Sequence, residues 1–344
     1  MRQIQNTLFV MTQNSYVHLD NDTIRVDFKQ EKKIQVPLHH VGSMVCFGNI
    51  MLSPAVMHRC ADLGISLVLL DHNGRFKARL EGGVNGNILL RMAQHRAALD
   101  NRFSVNFSRR VIAGKIRNSR QVLLRGARDT NNDVDRENLS KNAQLLAYSI
   151  KKLQNSPDLD AVRGIEGDAA KIYFMTLPII IKMKSREYFA MNGRSRRPPR
   201  DRFNALLSFL YSMVMNDCRS ALEAVGLDPQ LGFLHAVRPG RASLALDLME
   251  EFRPPLADRL ALTLINRGQI TEKQFEEREG GSVFLNDYGR KTVVTAYQER
   301  KQEEVTHQLL EDRVPIGTIP IIQARIIARV IRGEIEDYLP FLVR

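Results

Sequence analysis

The chain changes its pattern at the stretch Gly82-Gly83-Val84-Asn85-Gly86. Three glycines and one asparagine in five residues are typical of an irregular connection, because glycine adopts backbone angles that helices and strands exclude. Before this stretch the apolar residues alternate or form short β-branched runs, and after it they recur at helical spacing. We therefore predict a domain over residues 1–82, a linker over 83–87 and a second domain over 88–344.

Short strands separated by polar turns are predicted before the linker, for example Tyr16–Leu19, Thr23–Phe28 and Ile65–Leu70. One short helix interrupts them, with Ser53 as its N-cap and Pro54 at its first position. Helical patterns follow the linker, and the glycine pair before residue 282 indicates a short hairpin or extended stretch among them. The predicted fold class is α+β, with a small N-terminal β-rich domain followed by a larger all-α C-terminal domain.

The composition excludes several classes of protein. With 44% hydrophobic and 26% charged residues among 344, the chain is neither wholly disordered nor fibrous. Its longest apolar runs, such as 177–181, are far shorter than the ~20 residues of a membrane span, and no apolar signal segment follows the polar N-terminus. Three widely spaced cysteines argue against a disulfide scaffold or a cysteine zinc site, so we expect a cytoplasmic protein without membrane association.

The charge is strongly basic, with 50 Lys and Arg against 38 Asp and Glu and a formal net charge of +12. Eight basic residues and no acid lie between Arg102 and Arg128, and eight more with two acids lie between Lys182 and Arg202. Arginine dominates both runs, and its planar guanidinium holds phosphate oxygens with two hydrogen bonds. The two runs favour binding to a phosphate backbone; a solvated helix face is the alternative.

The first candidate for chemistry is Glu166, in Arg163-Gly164-Ile165-Glu166-Gly167-Asp168-Ala169-Ala170. The sequence contains neither GxxxxGK[ST] nor GxSxG, so carboxylate and histidine chemistry remains. Asp158 or Asp160 is expected to cap the helix that carries Glu166. Two glycines weaken this helix, and either room for a ligand beside the carboxylate or close helix packing would explain them.

The second candidate is the segment from Gly232 to Arg253, which contains His235, Asp247 and Glu250. Asp247 and Glu250 are three residues apart and project from one face of a predicted helix, which Ser243 is expected to cap. Neighbouring carboxylates repel one another unless a cation offsets them. That cation is either one of the nearby arginines, in a structural ion pair, or a divalent metal, since Mg²⁺ and Mn²⁺ prefer oxygen ligands and Mn²⁺ also accepts imidazole.

The two segments together resemble the CRISPR-associated integrase, the adaptation subunit that inserts new spacers into CRISPR arrays. Family members share an R-G-x-E-G-x-A-A-x-x-Y-F-like helix, here Arg163 to Phe174, and a G-F-L-H … G-R-x-S-L-x-x-D-L-x-E-x-F-R segment, here Gly232 to Arg253. The stretch Pro198 to Phe209 is similar to their D-x-x-N-x-L-L-S/N-F motif. The resemblance covers nearly the whole chain, and it too implies an N-terminal β domain and a C-terminal α domain.

The resemblance implies a set of catalytic residues. Glu166, His235 and Glu250 would be ligands of Mg²⁺ or Mn²⁺, and Asp247 would lie beside the metal as a further ligand or a support for one. Asn204 and Tyr211 match positions near the active site of the family. His235 could instead shuttle a proton, because its ordinary pKa of about 6.5 suits that role.

The implied reaction is metal-dependent endonuclease and integrase chemistry on double-stranded and branched DNA. The 3′-hydroxyl of a prespacer attacks a phosphodiester at the edge of a CRISPR repeat, and the displaced strand leaves as a 3′-hydroxyl without any need for ATP. The resemblance also implies a homodimer, with the 1–82 domain in dimerisation and DNA contact, and a small ferredoxin-like adaptation protein as partner.

The basic residues are expected to hold the DNA backbone, with an affinity that falls steeply with salt at a log–log slope near −0.9 per phosphate neutralised. The residues predicted for this contact are Arg109, Arg110, Lys115, Arg117, Arg120, Arg196, Arg197, Arg200, Arg238 and Arg241. Two other functions stay open: a DNA-binding scaffold with structural acids, and a plain metal-dependent nuclease on branched DNA. Loss of strand transfer in Glu166→Ala would exclude the scaffold, and joined products would exclude the plain nuclease.

Overall fold

A computed structural model describes residues 6–29, 31–71, 74, 76–80, 82, 87–191, 193–195 and 198–343. Contacts divide the chain into two compact units, Met1–Gly86 and Asn87–Arg344. Residues 83–86 of the predicted linker lie outside the described residues, so the linker stays a prediction.

In its described residues, the first unit contains two four-stranded sheets, one α-helix and one short 3-10 helix, Leu38–His40. The first sheet has the order β1-β5-β7-β8 and the second the order β4-β3-β2-β6, each with parallel and antiparallel pairs. The elements are β1 (Asn6–Val10), β2 (Tyr16–Asp20), β3 (Thr23–Phe28), β4 (Glu31–Pro37), β5 (Val41–Phe47), β6 (Met51–Leu52), α1 (Pro54–Asp62), β7 (Ser66–Leu70) and β8 (Phe76–Leu80).

The core of this unit follows from alternation along the strands. In β3, Ile24 and Val26 are buried while their neighbours are more exposed, as period two predicts for a strand with one face inward. Helix α1 begins as predicted, because Ser53 Oγ accepts a hydrogen bond from the Val56 amide and Pro54 fills the first position. Burial raises the pKa of the Cys60 thiol to about 11, so this cysteine is an apolar core residue rather than a nucleophile.

The second unit is mainly helical. Its helices are α2 (Ile88–Leu99), α3 (Asn101–Asp129), α4 (Asp133–Gln154), α5 (Leu159–Thr176), α6 (Met183–Arg186), α7 (Arg202–Val225), α8 (Ser243–Met249), α9 (Arg259–Asn266), α10 (Asp287–Gln302) and α11 (Ile319–Ile331). A π-helical turn, Arg253–Asp258, leads into α9. Side chains cap several long helices by accepting amide hydrogen bonds, among them Asp100 for α3 and Asp158 for α5.

The α+β class is confirmed, but an all-α second domain is wrong in detail. This unit also holds two hairpins, formed by β9 (Phe275–Arg278) with β10 (Ser282–Leu285) and by β11 (Glu304–His307) with β12 (Asp312–Pro315). The first turns where Gly280 has a positive φ of 83°, which glycine adopts without strain. The second lies among the helical patterns predicted after the linker and was not predicted itself, because four-residue strands are too short to show their own period.

None of the helices that the structure describes is both long enough and apolar enough to span a membrane.

Candidate metal centre

Glu166 lies in the middle of α5, whose start is fixed by Asp158. Its side chain is 29% exposed, and Oε1 accepts a hydrogen bond from Lys115 Nζ on α3. A Cβ added to Gly164 or Gly167 would meet no other atom within 4 Å. Close helix packing within the described chain therefore does not explain these glycines, and the space beside Glu166 is open.

Glu250 follows α8 directly and is 3% exposed. Its Oε1 lies 2.9 Å from Arg253 Nη2, and its Oε2 lies 2.7 Å from Lys115 Nζ. Burial alone would raise the pKa of this carboxyl, but the charges of Arg253, Lys115 and His235 overcome it and hold the pKa at about 2. The carboxylate is therefore ionised. Arg253 acts as the structural counter-ion that one of the two sequence interpretations expected.

Asp247 orients His235. Its Oδ1 accepts from the His235 amide at 3.0 Å and contacts His235 Nδ1 at 2.7 Å, while Oδ2 accepts from the amides of Phe233 and Leu234. With Nδ1 facing this carboxylate, Nε2 points toward Glu250, 3.8 Å from its Oε1. Asp247 is fully buried with both oxygens occupied, so it supports the histidine and is not free to bind a metal.

The loop that carries His235 fits tightly on α8. A Cβ at Gly232 would lie 2.7 Å from Asp247 Oδ2 and 2.6 Å from the Ser243 carbonyl carbon, so only glycine fits there. The prediction that Ser243 caps α8 is wrong, because its Oγ donates to the Ala236 carbonyl at 3.1 Å and makes no capping bond. The hydroxyl thus holds the histidine loop rather than the helix start.

Tyr211 and Asn204 both lie on α7, and their contacts differ. The Tyr211 ring packs under Arg253, 4.8 Å from its guanidinium carbon, and the hydroxyl donates to Asp258 at 2.7 Å. Asn204 is fully buried, and its Oδ1 accepts from Arg194 Nη1 at 2.6 Å. Tyr211 therefore supports Arg253, and through it Glu250, whereas Asn204 fixes the loop before α7.

The chemistry of the three donor groups, the carboxylates of Glu166 and Glu250 and the imidazole of His235, suits a hard divalent cation. Both glutamates contact Lys115 Nζ, and the 3.8 Å between His235 Nε2 and Glu250 Oε1 is below the limit of about 4.2 Å for two ligands of one ion. Glu250 Oε2 is buried, and Lys115 Nζ lies 2.7 Å from it. Lys115 occupies the space between the two glutamates, and no three acidic, histidine or cysteine side chains of the described chain form a metal-binding group in this arrangement.

Comparison with known proteins gives the family. The model of the family described as CRISPR associated protein Cas1 matches residues 8–299. The chain belongs to the Cas1 family. It is 53% identical over 344 residues, all of both chains, to the CRISPR-associated endonuclease Cas1 1 of Moorella thermoacetica. Membership in this family makes the chain an endonuclease and integrase of CRISPR adaptation.

Solved structures agree on the fold. A CAS1 protein from Thermotoga maritima has a TM-score of 0.82 at 22% identity, covering 95% of this chain and 97% of its own. A casposase bound to integration product also has a TM-score of 0.82, at 20% identity, covering 97% of this chain and 93% of its own. A Cas6-RT-Cas1–Cas2 complex has a TM-score of 0.83 at 21% identity, and the match covers 100% of this chain and 36% of that one. At these identities the likeness shows the Cas1 fold alone.

The basic residues predicted for DNA contact fall into different environments. Lys115 lies in the interior between the glutamates, and Arg109 and Arg110 on the same helix bond to the Ser156 carbonyl and to Asp337. The remaining described positions are exposed or half-buried at Arg117, Arg120, Arg200, Arg238 and Arg241, while Arg196 and Arg197 lie outside the described residues.

A cavity of about 550 Å³ opens beside α3 and is lined by Arg109, Arg110, Arg117 and the chain segment 339–342. Part of the arginine run on α3 therefore faces a basic surface recess.

Sequence reasoning missed the groups that support the site from behind. Asp258 accepts hydrogen bonds from the hydroxyls of Tyr211 and Tyr173, at 2.7 and 2.9 Å, and is 1% exposed. Burial raises its pKa to about 6, although both hydroxyls favour the charged form. No local signal marks Asp258, because its partners come from α5 and α7.

Proposed function

We propose that this chain joins prespacer DNA to a CRISPR repeat by metal-dependent transesterification, with Glu166, His235 and Glu250 as ligands of Mg²⁺ or Mn²⁺. The observation that carries the proposal is the convergence of these side chains from α5, the loop before α8 and the end of α8. A cation is needed to hold two carboxylates together, and the position between them that Lys115 takes in the metal-free protein suits a divalent metal as well.

A bound Mg²⁺ or Mn²⁺ would supply Lewis-acid stabilisation of the charge that develops on the phosphate oxygens. The residues of the chain prepare for this in defined ways. Asp247 fixes the His235 ring so that Nε2 faces the site, and Arg253 holds Glu250 ionised. In the alternative role, His235 Nε2 would carry a proton to or from the reacting hydroxyl.

The proposed substrates are double-stranded and branched DNA, held by the exposed arginines of α3 and of the turn at 238–241. The strong positive charge and the likeness to a casposase bound to integration product support this proposal. We also propose a homodimer that uses the 1–82 domain, which would contact DNA as well. The paired residues Tyr16 and Met51 support it as an exposed apolar patch of this domain.

A small ferredoxin-like adaptation protein is the proposed further partner. The similarity to the Cas1 part of a Cas6-RT-Cas1–Cas2 complex supports a larger assembly. The proposed compartment is the cytoplasm, in agreement with three free, buried cysteines.

Glu166→Gln tests the proposal. The change keeps the size of the side chain and removes its charge, so we expect strand transfer with Mn²⁺ or Mg²⁺ to fall by about a hundredfold or more. The assay uses a labelled prespacer and a supercoiled plasmid with a CRISPR repeat, and it separates joined products from released fragments.

Asp168→Gln is the matched control, because Asp168 is an exposed acid on the same helix. It should transfer strands like the unchanged protein. Strand transfer at the original rate in Glu166→Gln would contradict the assignment of the site. Released fragments without joined products from the unchanged protein would favour a plain nuclease.

A further inference from the structure

Lys115 is the one lysine of the long arginine-rich run on α3. Its neighbours along the helix, Ile112 and Ile116, are buried, and only 10% of its own side chain is exposed. A buried ammonium is costly unless it is neutralised by hydrogen-bonded acids. Helix α3 thus directs the Lys115 ammonium into the interior, where acidic side chains must neutralise it.

The acids are two of the three proposed metal ligands. Lys115 Nζ donates to Glu166 Oε1 and lies 2.7 Å from Glu250 Oε2. Glu250 already has an ion-pair partner in Arg253, whereas the one ion pair of Glu166 within the described part of the chain is with Lys115, and Arg253 acts on Glu166 only at longer range. Lys115 is therefore the charge that joins the two glutamates.

The Lys115 ammonium is shared between two acids, unlike the cation of an ordinary two-residue salt bridge. It donates to Glu166 Oε1 and lies 2.7 Å from Glu250 Oε2. A divalent cation can replace the ammonium because it offers the same two carboxylates a higher charge. Because Glu166 is 29% exposed, such a cation can approach from solvent.

We infer that Lys115 is an internal counter-cation that keeps Glu166 and Glu250 together before metal binds and competes with the metal for them. The inference rests on the proposed metal site and adds a positioning residue to it. Lys115 would lower the affinity for free metal while preventing the two carboxylates from moving apart. A flexible lysine suits this role better than arginine, whose planar group would hold a carboxylate through two hydrogen bonds.

The test measures Mn²⁺ binding by calorimetry, without DNA, in full-length Lys115→Met and in the unchanged protein. We expect Lys115→Met to bind Mn²⁺ about tenfold more tightly, because no ammonium has to be displaced. Its melting temperature without metal should fall, and the rise that Mn²⁺ produces should be larger than in the unchanged protein.

Two variants serve as controls. Lys115→Arg keeps the charge and should bind Mn²⁺ no more tightly than the unchanged protein. Lys151→Met removes an exposed lysine on α4 and should leave both the Mn²⁺ affinity and its thermal shift unchanged. If Lys115→Met fails to fold, Lys115→Gln, which can hydrogen-bond to both glutamates without a charge, is measured in the same way.

The outcomes separate this inference from the proposed site. If Glu166→Gln abolishes Mn²⁺ binding but neutral variants at Lys115 bind with unchanged or weaker affinity, the counter-cation role is overturned and the metal site stands. If Glu166→Gln binds Mn²⁺ like the unchanged protein, both ideas are overturned. A lower melting temperature with unchanged affinity would assign Lys115 a structural role only.

Discussion

At the scale of single residues, Asp247 shows how a buried acid orients a side chain of the proposed metal site. It lies in a pocket that a glycine at position 232 makes possible, and both of its oxygens are used within the chain. A carboxylate that orients a histidine in this way also fixes which ring nitrogen is available for chemistry.

Asp247→Asn should lower strand transfer by about 10- to 100-fold, since an amide cannot accept from the loop amides and the His235 ring in the same way. Metal-free stability should also fall, by roughly 1–3 kcal/mol, because buried donors lose their acceptor. The rate of strand transfer checks the first effect, and unfolding by denaturant without metal checks the second. The exposed control, Asp168→Asn, should change neither, and full activity in Asp247→Asn would refute the positioning role.

Asp258 makes a prediction about pH. Because burial raises its pKa from 3.8 to about 6, the folded state holds its proton more tightly than the unfolded state between these values. The free energy of unfolding should therefore decrease as pH rises from about 4 to about 6, by up to about 3 kcal/mol at 1.36 kcal/mol per pKa unit.

Asp258→Asn isolates this contribution. The variant has no titrating group at this position, so its difference in unfolding free energy from the unchanged protein should vary with pH over that window. Urea unfolding at several pH values measures the difference. A constant difference between pH 4 and pH 7 would contradict the raised pKa.

The residues that the sequence could predict carry a local signal. Glu166, His235 and Glu250 lie in recognisable motifs, and the structure brings them together, while their role as ligands stays a proposal. Lys115 carries no such signal. Within the arginine run it resembled another phosphate contact, and only the packing of α3 against α5 and the end of α8 places it between two acids.

At the scale of elements, helix α3 has one face in the protein interior and one face toward solvent. Its 29 residues span about 43 Å at 1.5 Å per residue, with a buried face that contains Lys115 and an outer face that carries Arg117. The cap at Asp100 and the buried face together explain why a helix this rich in like charge forms.

The glycines of α5 give a prediction at this scale. Replacing Gly164 and Gly167 by alanine should raise the free energy of unfolding by up to about 2 kcal/mol, since each glycine costs about 1 kcal/mol in a helix and the added Cβ meets no atom. If DNA uses the open space beside Glu166, strand transfer should nevertheless fall several-fold. Thermal unfolding and the strand-transfer assay measure the pair of effects.

Other helical glycines supply the contrast. A Cβ at Gly114 would lie 2.5 Å from Pro340 Cβ, and one at Gly126 would lie 2.7 Å from Ile180 Cγ1. Gly126→Ala should therefore destabilise the protein. Unchanged strand transfer in the stabilised α5 variant would show that the space beside Glu166 is ordinary solvent.

Element boundaries were predictable where capping chemistry is local. Ser53 and Asp158 cap their helices because each is a short polar side chain directly before an apolar pattern. Ser243 is also a short polar residue at the start of a helix, but it does not cap α8, because its hydroxyl donates to the Ala236 carbonyl instead. The β11–β12 hairpin was missed because its pairing joins residues across a turn, where Glu311 has a φ of 52°, and no glycine marks that position.

At the scale of the whole molecule, the net charge of +12 is partly used inside the protein. Lys115 and Arg253 neutralise acids in the interior, and Arg110 pairs with Asp337 at the surface, so the charge that can meet DNA is carried by fewer residues than the sequence suggests. The remaining exposed and half-buried arginines of α3 are the strongest candidates for backbone contact.

Arg117→Ala with Arg120→Ala should weaken binding to duplex DNA by about tenfold near physiological salt and reduce the log–log salt slope by about 1.8. Mn²⁺ affinity should not change, because neither residue is among the groups that touch Glu166 or Glu250 in the described contacts. Fluorescence anisotropy across a salt series measures the slope.

The control pair is Arg329→Ala with Arg332→Ala, which has the same spacing but pairs with Glu334. It should change DNA affinity less. Equal effects from the two pairs would indicate that only total charge matters, and unchanged affinity in the first pair would make the outer face of α3 an ordinary solvated surface.

The π-helical turn at Arg253–Asp258 has a consequence for the length of the polypeptide. A π turn contains about one residue more than an α turn, and each residue of an α-helix rotates the next by about 100°. Removing one residue between Arg253 and Asp258 would let a regular helix continue and would swing Asp258 away from the two tyrosines. The number of residues between Glu250 and Asp258 is therefore fixed by the fold. An insertion or deletion between them would disrupt the site even if every side chain named here were retained.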